Sequence, residues 1–225
     1  MKRMLFSVAV FSLLCSGSGM AQGMGMKGPS GRPTAREASF VASISKDLRA
    51  RFGTTAQAAK AGYVRFTDED DTGAISWANG KWNSTDPKHP SELWYDVNGR
   101  LIGADYTVPQ NASPAAPRRW GIDPRRWQTI GAHVHYGVKQ PDGSIKVGAI
   151  GRALTKAGGS IAAPTKRMLV SAGVAKSTKD IAFVLPFPAI WDLQVWVIPN
   201  ANGAFAEANP SVKAQHAMKM MMDQH

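Results

Sequence analysis

Phe40, Val41, Ile44 and Leu48 fall on one side of a helical wheel, with Lys46, Arg49 and Arg51 on the other, so residues 34–52 predict an amphipathic helix stopped at Gly53. Thr54 and Gln57 then have the spacing of a capping box, in which each side chain satisfies the other's orphan amide; a short helix through Ala61 follows, and Gly62 closes it. Beyond Tyr63 the apolar period drops towards two. Residues 93–97 and 101–108 flank Asn98-Gly99, a dipeptide that tolerates the positive φ of a tight hairpin. Residues 130–138 alternate again: Ile130, Ala132, Val134, Tyr136 and Val138 point one way, and Gly131, His133, His135 and Gly137 the other. Asp142-Gly143 turns this strand back into residues 144–150. A strand at 181–185, a bend at Pro186-Phe187-Pro188 and a strand at 190–198 complete the pattern. In that last strand Trp191, Leu193, Val195 and Val197 oppose Asp192, Gln194 and Trp196. The section 151–179 is weakly patterned, with one short element expected at 168–174. The fold class predicted is α+β: N-terminal helices packed on a mostly antiparallel β-sheet, with flexible termini.

The ends set the expected domain plan. Lys2 and Arg3 precede an apolar run and then small residues up to Ala21, which reads as a signal peptide over 1–21, so the protein is expected to be exported, periplasmic or secreted. A flexible leader is expected over 22–33, a single domain over 34–212 and a Met/His-rich tail over 213–225. No stretch has the roughly 20 apolar residues of a spanning helix. The single cysteine, Cys15, lies inside the signal, which removes disulfides, thiolate nucleophiles and cysteine metal ligands from the mature chain. With 27 basic and 16 acidic residues the formal charge is +11, and loss of Lys2 and Arg3 leaves +9. An exported protein of that charge is expected to meet an anionic envelope component, and its compartment argues against nucleic acid.

Several chemistries are absent as motifs: there is no Gly-x-Ser-x-Gly elbow and no phosphate-binding Gly-x-x-x-x-Gly-Lys loop. The acidic run at 68–71 lacks the alternating ligands of a calcium loop and reads as a solvated turn. His133 and His135 are the sharpest feature, since two imidazoles at i and i+2 share one strand face and can converge on one ion or small ligand. His89 is the candidate third ligand, with Glu92, Asp96, Asp105 and Asp192 as carboxylate options. Three histidines and a water suit Zn or Cu. Tyr136, Trp94 and Asp96 are candidate ligand-binding neighbours. A second metal candidate is the tail, where His216, Met218, Met220, Met221, Met222 and His225 offer the thioether and imidazole donors that copper accepts. Pro-Arg-Arg-Trp occurs twice, at 117–120 and 124–127, and arginine beside indole either packs locally or grips an acidic polymer. Paired carboxylates, Glu92 with Asp96 or Asp105 with Asp192, would be the requirement of a glycosidase.

The run Gly203-Ala204-Phe205-Ala206-Glu207-Ala208-Asn209-Pro210-Ser211-Val212 resembles the closing Gly-x-Phe-Ala-x-x-Asn-Pro-x-Val motif of a set of exported bacterial proteins of uncharacterised function. The segment His89-Pro90-Ser91-Glu92-Leu93-Trp94-Tyr95-Asp96 and the hairpin after it are similar to the same group. The resemblance spans about half of the mature chain; it implies export and the general architecture, and no activity. Some members of that group carry a histidine just before Val-Trp, where this chain has Gln194. The function expected is therefore that of an exported binding protein taking a transition metal or small ligand at the His-x-His strand. The alternatives are a metal-assisted or acid/base enzyme using the same histidine face, and an envelope-associated structural protein with no specific site.

Overall fold

The computed structural model of the chain describes residues 31–82 and 86–215. The expected signal peptide, most of the leader and the Met/His tail from His216 to His225 lie outside the described residues. Thr34 caps α1 (Ala35–Phe52): its hydroxyl accepts the Glu37 amide while the Glu37 carboxylate accepts the Thr34 amide. Thr54 and Gln57 do the same for α2 (Thr55–Lys60). The strands are β1 (Val64–Arg65), β2 (Ile75–Ala78), β3 (Glu92–Tyr95), β4 (Leu101–Pro109), β5 (Gln128–Ile130), β6 (His133–Lys139), β7 (Ile145–Ile150), β8 (Ile181–Phe187) and β9 (Ile190–Trp196). Between β7 and β8 lie α3 (Arg152–Lys156) and α4 (Lys166–Ser171), the latter close to the element expected at 168–174 and the former unforeseen.

The strands form a six-stranded sheet ordered β1-β2-β3-β4-β9-β5 and a three-stranded sheet ordered β7-β6-β8, with every pairing antiparallel. This is the α+β architecture the pattern predicts. One face of the large sheet, with Leu93, Tyr95, Ala104, Tyr106, Val108, Leu193 and Val195, packs against Ile44, Leu48 and Phe52 of α1 and Ala58 of α2. Each large aliphatic buried there stabilises the fold by about 1.5–3 kcal/mol. Two tyrosine hydroxyls on this face reach backbone carbonyls, Tyr95 at Phe52 and Tyr106 at Pro87, so neither is stranded in the core. The small sheet buries Val134 and Ile181 against Leu154 of α3 and Leu169 of α4.

The two sheets share covalent strands. β5 runs into β6 through Gly131 and Ala132 alone, and β8 into β9 through Pro188 and Ala189 alone, so one antiparallel ribbon bends and belongs to both sheets. The single strand expected over 130–138 is thus corrected to two. Ile130 pairs with Ile190 in the large sheet, Ala132 is exposed in the bend, and only Val134, Tyr136 and Val138 keep the predicted alternation opposite the histidines. Pro186 extends β8 where a bend was expected, and it is tolerated because β8 is an edge strand, where a missing N–H breaks no ladder.

Candidate functional site

β6 begins at the bend, and its alternation sends His133 and His135 to the face opposite Val134. Their Nε2 atoms approach to 2.9 Å, and the rings meet edge to face. His133 Nδ1 lies 2.8 Å from the Gly131 carbonyl oxygen, which only accepts, so this nitrogen carries a proton, and in the neutral form of the ring Nε2 points a lone pair at His135. His135 is 8% exposed, and its Nδ1 has no hydrogen-bond partner among the described residues. Burial and then the neighbouring His133 push its pKa down to about 4, so it is neutral at physiological pH. Two neutral states follow. Either His135 Nε2–H donates to His133, or both lone pairs face one another and a cation lies between them.

The pair has an aromatic wall. Phe187, opposite His133 in the β6–β8 register, stacks on that ring at 5.1 Å between centroids. Phe66 meets His135 edge-on at 4.9 Å. Phe66 donates its amide to Ser76 of β2, so this contact also seats the small sheet against the large one. A second tie is the Asp68 carboxylate, which accepts the Val147 amide of β7 at 3.0 Å.

The other predicted site residues are held elsewhere. His89 stacks on Trp82 at 4.2 Å and pairs with Asp86 at 2.9 Å. The two hairpins belong to different sheets, which removes the proximity that would have brought His89 to the pair. Among the described residues no three His, Cys, Asp or Glu side chains are grouped to hold an ion. Tyr136 points with Val134 towards α3 and α4, away from the histidines, as strand parity demands. Trp94 is buried and donates its indole N–H to Asp105 at 2.7 Å. Asp96 accepts the amides of Asn98 and Arg100 and so builds the hairpin turn it precedes.

The large sheet's second face carries a group of which the sequence showed only the parts. Glu92 of β3 stands opposite Asp105 of β4, and Asp105 opposite Gln194 of β9. Asp192 lies two pairs further along β9, on the same face, opposite Gln128 of β5. All three carboxyls are buried, and one oxygen each of Asp105 and Asp192, Gln194 Oε1 and Gln128 Nε2 have no partner among the described residues. Burial pushes Glu92 up to about 7. It also raises Asp105 and Asp192 well above the usual carboxylate range, helped at Asp105 by both neighbouring carboxylates and opposed by the Trp94 bond, and helped at Asp192 by Glu92. Asp105 with Asp192 was one carboxylate pair the residue types offered, but it takes the β4–β9 register to bring them to one face and the hairpin register to add Glu92. The other proposed pair, Glu92 with Asp96, shares strand parity, but Asp96 lies just beyond the end of β3 and is committed to the hairpin turn.

Comparison with protein family models, with curated proteins and with solved structures found no match.

Proposed function

We propose that the chain is an exported binding protein whose His133/His135 pair takes a divalent transition metal, with copper favoured over zinc. The observation that carries this reading is the 2.9 Å Nε2 separation, with the far nitrogen of His133 fixed by a backbone carbonyl. At metal–nitrogen distances of about 2.0–2.1 Å, nitrogens 2.9 Å apart subtend about 90° at the ion, the cis angle of a tetragonal centre. Tetrahedral zinc needs about 3.3 Å between two nitrogens, so the rings would have to open. The Gly131 carbonyl is the outer-shell acceptor that holds a ligating imidazole in the right tautomer. Because the described residues supply two ligands here, the remaining positions are assigned to water or to an incoming small ligand. The bound ion is then open to exchange, as suits a carrier or sensor.

Titrating tag-free protein with Cu(II) under paramagnetic resonance is the direct test. A tetragonal signal with two nitrogen couplings is expected at one equivalent. It should weaken by about tenfold or more in His133→Ala and in His135→Ala, the scale set by losing one of two protein ligands. His216→Ala/His225→Ala should leave it unchanged. A signal that survives in His133→Ala/His135→Ala, or that disappears with the tail histidines, rejects the site.

A further inference from the structure

The two Pro-Arg-Arg-Trp repeats fold so that each sends its tryptophan inwards and its first arginine outwards. Trp120 stacks on Phe40 at 5.5 Å and approaches Trp127 at 6.1 Å, which fixes both repeats against α1. The second arginine of the later repeat, Arg126, is buried and bonded to Glu37 and to the carbonyls of Gly31 and Arg32. The first arginines, Arg118 and Arg125, line an open cleft of about 700 Å³ at the start of α1, together with Arg36.

The charges around this cleft do not cancel. Glu37 is neutralised by Arg126, and Asp123 by Arg125, whose fork holds the Asp123 carboxyl down at about 2. Arg36 and Arg118 have no ion pair or side-chain hydrogen bond among the described residues, and both are exposed. The Arg36 side chain lies over Gly121, where a Cβ would come within 1.9 Å of its Nε, so the left-handed glycine at φ +74° makes room for that guanidinium. The first turn of α1 adds the positive end of an 18-residue helix dipole at the same place.

We infer that the cleft bounded by Arg36, Arg118 and Arg125 is a second binding site, for a phosphomonoester. Two unpaired guanidinia offer two positive charges and planar forks, which match a group carrying about −1.5 to −2 at pH 7 with three acceptor oxygens. A carboxylate or phosphodiester monoanion would leave one guanidinium unsatisfied. The phosphomonoester is either free in solution or the head group of a lipid; the shared chemistry is the dianion.

The test measures binding of inorganic phosphate by calorimetry, and of vesicles containing phosphatidic acid by sedimentation, both at about 0.15 M ionic strength so that diffuse attraction is screened. Vesicles of equal charge made with phosphatidylglycerol serve as the monoanion control. The proteins compared are the full chain, Arg36→Ala/Arg118→Ala, and Lys139→Ala/Lys146→Ala, which removes equal charge from the β6–β7 hairpin. Binding in the arginine variant should fall by about tenfold or more, as expected for losing two charge-assisted forks, with an unchanged circular dichroism spectrum and with the lysine variant within about twofold of the parent. Binding of phosphate alone assigns a soluble ligand, and preference for phosphatidic acid over phosphatidylglycerol assigns a lipid. Absence of both, an arginine variant that binds like the parent, or an equal loss in the lysine variant overturns the inference.

Discussion

Glu92 makes the histidine and carboxylate environments measurable through pH. Its folded pKa of about 7 lies above its unfolded value near 4.3, so between those values the folded chain holds a proton that the unfolded chain has released. Stability from this group is complete below about pH 4 and is lost as pH rises through 7. His135 has the opposite sign. Its folded pKa of about 4 lies below the unfolded 6.5, so its contribution is present at neutral pH and is lost on acidification through that window. The two slopes oppose one another below about pH 6.5, and above it the Glu92 slope remains. In metal-free protein the Glu92 loss of about 1 kcal/mol between pH 6 and 8 is partly offset by the last of the His135 gain, so thermal unfolding should show a net fall in stability of about half a kcal/mol. Glu92→Gln should flatten that fall and be the more stable protein at pH 8. An unchanged slope in the variant would place the titration elsewhere.

At the scale of elements, α1 is fastened to the arginine loop by one buried ion pair. Glu37 is 1% exposed and serves four partners: the Thr34 amide, the Asp123 amide and two nitrogens of Arg126. Burial opposes its ionisation, but the Arg126 bond, the two amides and the guanidinium charge outweigh it and hold the carboxyl below its usual range. Glu37→Ala strands a buried guanidinium, removes the capping box and should cost about 3–5 kcal/mol in urea unfolding. A loss below about 1 kcal/mol would mean that Arg126 relaxes to solvent. The cap of α2 was legible from the spacing of Thr54 and Gln57, whereas the cap of α1, though equally local, was not singled out. The long-range partner of Glu37 was not legible, since nothing in a local pattern ties residue 37 to residue 126. The same division holds for the strands. Alternation located β6 and the inward face of β9, but the break at Gly131 and Ala132 left no mark, because two small residues interrupt neither an apolar count nor a period of two. The bend becomes visible only when Ile130 is seen to pair with Ile190 and Val134 with Pro186. His133 and His135 were legible as a pair for the reason that made His89 misleading: spacing along one strand is local geometry, and proximity between hairpins is topology.

Across the whole molecule, no helix among the described residues is long and apolar enough to cross a membrane. Two candidate sites of different chemistry are built on the same frame. The histidine pair stands where the ribbon leaves the large sheet, and the arginine cleft lies where α1 meets the loop before β5. β9 lies between β4 and the edge strand β5 in the large sheet, yet it follows both in the chain by many residues. Its register with β4 spans seven pairs, from Gly103 with Trp196 to Pro109 with Ile190. That interior position has a temporal meaning. A ribosome reaches this inner strand nearly last, so β4 waits without its second partner until most of the protein has been made, and closure of so long a loop is slow. A nascent chain stalled at Asp180 should therefore leave the Ala104 and Tyr106 amides open to deuterium exchange, and release of the next 20 or so residues should shut them in one cooperative step. A polypeptide that postpones its own completion in this way remains threadable, the condition a translocation pore imposes on anything sent through it uncoiled.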